Sequence, residues 1–347
     1  MGDVKMYQRL LVTGVSGYVG LHMAVEGLQR GYIIRGTVRS DKKAVECRNY
    51  LKDLVSKQQL AQFEVVTADL TKPDCWDTII KGCDAIFHVA SPLAASNRRD
   101  EHKLVTTTRE GVKHVFEAAI RQGVTRIVYT SSVAAVMFGH DGSKTHYIDS
   151  DWSHVEGKLN TAYIRSKTFT EQDAWRYAEN HPELELTSIL PGFILGPIIK
   201  NHTNLSTGLV GAVMSGAFPS GVINIHFPIV DIRDIVLAHF NSVERKQSIG
   251  ERIMLGCKSI WMREMAEVIL AENPQFKDKI NPKTMPRWLL KIFSLYNASL
   301  RHLAMEANVQ RELSYQKAQD LLEISPRSPE EAVLATAKDL IRLGLVS

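Results

Sequence analysis

Tyr163 and Lys167 stand four residues apart in a segment, Thr161 to Ala178, whose apolar spacing predicts a helix. That spacing puts the two side chains on one helical face. A phenol titrates near ~10, too high for ready proton exchange at neutral pH, and a neighbouring ammonium favours the phenolate and lowers that value. Such a pair can hand a proton to an oxygen or take one back, although Tyr and Lys also fall at this spacing by chance on many helices. Two hydroxyls, Ser131 and Ser132, follow an apolar segment, Arg126 to Thr130, that reads as a strand.

A second kind of chemistry lies in Leu10 to Gly20, LLVTGVSGYVG. Leu10, Leu11 and Val12 read as a strand, and Leu21 to Leu28 as a helix. Between them Gly14, Gly17 and Gly20 make a turn that lets backbone approach a pyrophosphate in front of a helix N-terminus. The spacing is G-x-x-G-x-x-G rather than G-x-G-x-x-G. After the next strand, Tyr32 to Val38, an NAD site expects an acidic residue for the ribose 2′-hydroxyl. The chain instead has Arg39, Lys42 and Lys43. Cations there suit the extra phosphate of NADP, the plain alternative being a solvated strand end. Asp69, ending the strand Gln62 to Thr67, could accept from an adenine amino group or cap the helix expected over Lys72 to Lys81. Ser91-Pro92 ends a fourth strand, Asp84 to Ala90, where backbone can pass beside a cofactor.

The elements that must position these residues alternate. Helices are predicted over Lys43 to Leu60 and Asp100 to Gln122, and a sixth strand over Glu185 to Leu190, followed by a rigid loop, Pro191 to Pro197. Strand and helix in alternation predict an α/β fold, a Rossmann-type doubly wound parallel sheet with helices on both faces. Ligands then bind beyond the carboxyl ends of the strands, where the glycine turn, Arg39, Asp69, Ser91 and Ser132 all fall. Later the pattern becomes mostly helical: Trp261 to Ala271, Arg287 to Leu303, Ser314 to Leu322 and Pro329 to Leu343. The expected division is an NADP-binding domain over 1–191 and a smaller substrate-binding lobe over 192–347, with a soft boundary and segments near 225–256 returning to the sheet.

Composition narrows the function. The 347 residues are 44% hydrophobic and 23% charged, as in a soluble globular protein, and the net charge of +4 is scattered, which leaves no footprint for nucleic acid. The four cysteines show no C-x-x-C pair and no metal-ligand spacing, so they read as buried apolar groups in a reducing compartment. A polar N-terminus without a leader pattern, and no apolar run long enough for a membrane span, make the cytoplasm the expected location.

In chain order these pieces resemble the extended short-chain dehydrogenase/reductase family, and within it the dihydroflavonol-4-reductase-like branch. The motifs are VTGVSGYVG (Val12 to Gly20), VRS (Val38 to Ser40), ADL (Ala68 to Leu70), HVASP (His88 to Pro92), YTSSVAAV (Tyr129 to Val136), YIRSK (Tyr163 to Lys167), LPGFILGP (Leu190 to Pro197) and VDIRD (Val230 to Asp234). The resemblance implies that Ser132 hydrogen-bonds a substrate carbonyl and Tyr163 protonates its oxygen as hydride arrives. Lys167 would hold the nicotinamide ribose and lower the pKa of Tyr163. Pro191, Gly192 and Phe193 would lie at the nicotinamide, and Arg39 with Lys43 at the 2′-phosphate. Ser16, Tyr18, Val19, Leu70, Val89, Ala90 and Ser91 complete the implied cofactor set, with Ser131 packing beside the site and VDIRD acting as a support below it.

Two departures shape the expected substrate. Flavonoid reductases have an Asn shortly after the catalytic Ser, where this chain has Met137, which favours a more apolar aldehyde or ketone. Sugar-nucleotide epimerases have an Asn ahead of the fifth strand, where this chain has Thr106 to Glu110. The expected activity is NADPH-dependent reduction of aldehyde or ketone carbonyls, reversible as alcohol oxidation, by a monomer or homodimer without nucleic-acid or membrane partners. A 3β-hydroxysteroid-type dehydrogenase and a redox-inactive NADP-binding regulator are the competing readings. Substrate shape is expected from the loops Ala94 to Asp100, Phe138 to Leu159 and Ile198 to Gly221.

Overall fold

The computed structural model describes residues 7–91, 101–141, 143–156, 161–200, 203–256, 258–296, 304 and 306–346. Seven parallel strands form the main sheet: β1 (Arg9–Val12), β2 (Ile33–Val38), β3 (Phe63–Thr67), β4 (Ala85–His88), β5 (Arg126–Thr130), β7 (Glu185–Pro191) and β10 (Arg252–Leu255), in the order β10-β7-β5-β4-β1-β2-β3. The order reverses direction between β1 and β4, which opens a crevice at their carboxyl ends. Leu10 and Val12 enter one apolar cluster and Leu11 the other, so the two-residue period of β1 serves both faces. This is the Rossmann-like fold expected from the alternation.

On one face lie α1 (Tyr18–Gln29), α2 (Asp41–Leu51) and α8 (Ile232–Glu244); on the other lie α4 (Trp76–Ile80), α5 (Glu101–Gln122) and α6 (Ala162–Asn180). The single helix expected over Lys43 to Leu60 is two: α2 ends at Leu51, and the short α3 (Lys57–Leu60) restarts at Ser56. There Ser56 and Gln59 exchange side-chain and backbone bonds in a capping box, which the sequence reading missed. Likewise α4 starts only at Trp76, later than the expected Lys72.

After β7 the chain makes a second sheet that the sequence did not suggest. The segment read as a rigid loop contains β8 (Phe193–Leu195), which pairs with β9 (His226–Asp231), and β9 pairs with β11 (Ser259–Trp261). A two-stranded pair joins β6 (His146–Tyr147) to β12 (Glu312–Leu313). The helices α7 (Leu205–Met214), α9 (Met262–Glu272), α10 (Arg287–Tyr296), α11 (Gln316–Leu322) and α12 (Pro329–Arg342) make up the rest of this helical region. Ile260, Met265 and Leu340 from this region belong to the same apolar cluster as Leu10 and Phe240, so one face of the main sheet and the later segments share a core. No described helix is long and apolar enough to cross a membrane.

Candidate active site

A cleft of about 590 Å³ runs along the carboxyl ends of the strands from the glycine turn to α6. At its first end, Gly14 adopts φ +69°, a conformation that side chains rarely take. A Cβ on Gly20 would stand 2.4 Å from the Gly14 carbonyl oxygen, so the first turn of α1 can pack on the turn only without a side chain there. Gly17 is the N-cap of α1 and makes no side-chain cap, which leaves first-turn N–H groups aimed outward for an anion. Gly14, Ser16, Gly17, Tyr18, Val19 and Gly20 all border the cleft.

The turn is held by hydroxyls rather than charges. Thr37 Oγ1 accepts from the Gly14 N–H at 2.9 Å. Thr13 Oγ1 accepts from the N–H groups of Val89 and Ala90 at 3.0 and 2.9 Å, so its own proton goes to His88 Nδ1 at 3.0 Å. That arrangement fixes His88 as the tautomer protonated at Nε2. Burial holds the imidazole neutral and pushes its pKa to about 3, with Lys167 adding to the effect. These bonds pull Val89 and Ala90 off the end of β4, which stops at His88 and not at Ala90 as the sequence suggested.

Arg39 is exposed at the end of β2, borders the cleft, and forms no ion pair among the described residues. Lys43 also borders the cleft but donates to Glu46 at 2.7 Å. Leu70, Val89, Ala90, Ser91, Pro191 and Gly192 line it as well. Asp69 and Phe193 sit beside the cleft without lining it. Asp69 Oδ1 accepts from the N–H and hydroxyl of Thr71, which lowers its pKa, and Phe193 rests against Phe227 with ring centroids 4.5 Å apart. Pro92 and the loop 94–100 lie outside the described residues.

At the other end, α6 begins with Thr161 accepting from the Ile164 N–H, and carries Tyr163 and Lys167 to the cleft. Tyr163 keeps 41% of its surface exposed, whereas Lys167 is buried. Tyr163 Oη donates to Ser132 Oγ at 3.5 Å. Ser132 caps the turn Val133–Ala135, accepting from the Ala134 N–H at 3.1 Å. Desolvation by the surrounding protein raises the phenol above its ordinary value while the Ser132 contact lowers it. The influences on the phenol in this geometry are desolvation and Ser132; the expected lowering by Lys167 is not among them. Burial lowers Lys167 itself to about 8, opposed by the carboxylate of Glu171.

Ser131 also borders the cleft, but it is buried and its hydroxyl donates to Glu171 at 2.7 Å. Met137 packs against the cluster of Val133, Val136, Tyr147, Leu190 and Met254 and does not line the cleft. Sequence reasoning missed Thr37, Glu171 and Arg252, and saw Thr13 and His88 only as parts of motifs. A signal existed for two of them. Glu171 stands four and eight residues beyond Lys167 and Tyr163, and Arg252 is a lone charge opening an apolar strand.

The arrangement fits a dinucleotide lying across the crevice: a glycine cradle with a helix N-terminus at one end, an Arg without an ion pair among the described residues at the neighbouring strand, and Ser, Tyr and Lys at the far end. Comparison with known proteins gives the same direction. The sequence profile of the NAD dependent epimerase/dehydratase family matches residues 10–256. Cinnamoyl-CoA reductase 2 of Medicago truncatula is 28% identical over 326 residues, covering 91% of this chain and 92% of that protein. Dihydroflavonol 4-reductase of Arabidopsis thaliana is 33% identical over 216 residues, 60% of this chain and 55% of that one. In fold, the chain is similar to the yeast methylglyoxal/isovaleraldehyde reductase Gre2 crystallised with NADPH, with a TM-score of 0.82 at 22% identity, covering 97% of this chain and 99% of the other.

Proposed function

The chain belongs to the NAD dependent epimerase/dehydratase family, and on that premise we propose that it is an NADPH-dependent reductase of aldehyde or ketone carbonyls, reversible as an alcohol dehydrogenase. The observation that carries the reading is the alignment of Ser132, Tyr163 and Lys167 on the wall of the cleft that begins at the glycine turn. NADPH, when bound, supplies the hydride that reaches the carbonyl carbon. Ser132 donates its hydroxyl proton in a hydrogen bond to the carbonyl oxygen, and Tyr163 gives up its proton to the same oxygen as negative charge develops there. A phenol kept above its ordinary pKa is protonated at working pH, as a proton donor must be. Lys167 holds the ribose hydroxyls and stabilises the phenolate left behind, which also serves the reverse reaction.

The phosphate cradle takes Gly14, Ser16, Gly17, Tyr18, Val19 and Gly20. Arg39 takes the 2′-phosphate with Lys43 in a secondary part, because Lys43 already has Glu46 as a partner. Asp69 keeps a carboxylate oxygen, Oδ2, for the adenine amino group, and Phe193 supports the nicotinamide end through Pro191 and Gly192. The cofactor-binding part runs to residue 191, with β10 returned to it from the later, substrate-covering part. Cytoplasmic residence as a monomer or homodimer goes with the same reading. The test is NADPH consumption by the purified protein across a panel of apolar aldehydes and ketones. Turnover is expected with several of them; tight NADPH binding with no consumption of any would replace this reading with that of a redox-inactive binding protein.

A further inference from the structure

Beneath the reacting groups lies one buried ion pair that contacts most of what fixes them. Glu171, on α6 one turn beyond Lys167, is fully buried. Its carboxylate accepts from Ser131 Oγ at 2.7 Å, from Trp175 Nε1 at 3.3 Å, and from Arg252 Nε and Nη2 at 2.8 and 3.3 Å. Arg252 opens β10, the strand that returns from the later part of the chain to complete the sheet. Its remaining nitrogen, Nη1, donates to the carbonyls of Asp149 and Asp151 at 2.6 and 2.8 Å, and its guanidinium lies 3.7 Å from the centroid of the Trp152 ring.

The segment held by Arg252 in turn holds Ser132. Ser153 Oγ donates to the Ala134 carbonyl and accepts from the Phe138 N–H, and the Ser153 N–H donates to the Ala135 carbonyl. Ala134 and Ala135 belong to the turn that Ser132 caps. Ser132 is therefore reached twice, through Ser131 from Glu171 and through residues 149–153 from Arg252. A buried ion pair is often no more stabilising than apolar residues of similar volume, so stability alone is a weak reason for this one.

The charges facing Lys167 give a second reason. On α6 they are Tyr163, a neutral phenol, and Glu171; from β4 comes neutral His88; from β5 comes Tyr129, whose hydroxyl donates to Thr170 and whose burial keeps it protonated. Asp173, farther along α6, is turned to Arg109 and Arg176. Among the described residues Glu171 is the anion that opposes the desolvation of the Lys167 ammonium.

We propose that Glu171 and Arg252 are a positioning pair for the reduction proposed above, Glu171 providing the negative charge that faces Lys167 and Arg252 fixing the segment that holds Ser132. The inference rests on the carbonyl-reductase reading and assigns separate effects to the two residues. In Glu171→Gln, Lys167 loses its proton at lower pH, so the alkaline limb of kcat/KM moves down by about one pH unit. Arg252→Lys keeps the buried positive charge but not the forked contacts, so kcat falls roughly 10-fold through misplacement of Ser132 while the alkaline limb stays put.

The experiment measures pH profiles of NADPH-dependent turnover, NADPH dissociation constants and thermal melting for both variants. The double variant Glu171→Gln/Arg252→Gln is included because it leaves no uncompensated buried charge if either single change fails to fold. A folded Glu171→Gln or double variant with the wild-type pH profile overturns the role of Glu171. Lowered melting temperature with unchanged kcat in Arg252→Lys overturns that of Arg252. Tyr163→Phe separates the two levels: if it retains turnover, the reductase reading itself fails, whereas an inactive Tyr163→Phe beside a wild-type pH profile in Glu171→Gln refutes only the positioning pair.

Discussion

The two ends of the cleft are built from different materials. At the phosphate end the glycine turn is held by its own backbone, two threonine hydroxyls and a neutral histidine. At the reaction end a desolvated lysine lies above a buried Arg–Glu pair, and desolvation raises the phenol beside it above its ordinary value. A recurrent ligand fragment such as a pyrophosphate needs only fixed dipoles at the right distance, whereas proton transfer needs a group whose charge can change. The contrast predicts that shape changes damage one end and charge changes the other.

The largest expected effect is at the reaction end. Tyr163→Phe should lower kcat by ~10²–10⁴ while leaving the NADPH dissociation constant nearly unchanged, as fluorescence titration beside steady-state kinetics would report. A comparable loss of binding would mean that the phenol is part of the cradle and not of the chemistry.

Next comes Gly20→Ala, where the added methyl meets backbone at 2.4 Å. The clash should cost ~1–3 kcal/mol in NADPH affinity or in folding. Calorimetry on the same variant checks it, and wild-type affinity with wild-type melting would show that the turn can yield.

A third expectation concerns acid. His22 is half-buried and His88 and His239 are buried; all three are neutral, with pKa values lowered by desolvation to about 4, 3 and 4. Because the unfolded chain binds these protons at ~6.5 and the folded one does not, their contribution to stability is complete above that pH and declines on acidification toward 4. Roughly 2 kcal/mol per histidine should be gone by pH 5. Melting curves between pH 7 and 5 test this, and His239→Asn should flatten the slope by one share.

The smallest effect is expected for Arg39→Ala, an exposed side chain. NADPH should bind about 10-fold more weakly while NADH affinity holds, since a single solvent-screened cation on a phosphate is all that is lost. Equal loss for both cofactors would remove Arg39 from the 2′-phosphate.

What could be read from sequence follows the same division. The parallel sheet, the glycine turn and α6 were legible because each leaves a periodic or local signature: Leu10 to Val12 before the glycines, Val112 to Ile120 at helical spacing, Tyr163 four residues from Lys167. The break between α2 and α3 was not, because Ser56 and Gln59 cap it within an otherwise helical composition. Nor was β8, whose three residues are extended only because β9 pairs with them from more than thirty positions away. The brace of Glu171 and Arg252 joins residues 81 apart in the chain, and a lone charge in an apolar strand says that a partner exists without saying where.

The position of β10 also has a consequence for synthesis. It is the last strand of the main sheet to be made, yet the immediate neighbour of β7 there. Until residue 255 has left the ribosome, β7 presents a bare hydrogen-bonding edge, and until α8 is made Arg30 and Tyr32, just after α1, lack the Phe240 and Glu244 they meet in the finished protein. A nascent chain that has completed its whole cofactor cradle thus still carries an unpaired sheet edge, of the kind that invites association with other chains, until β10 is made.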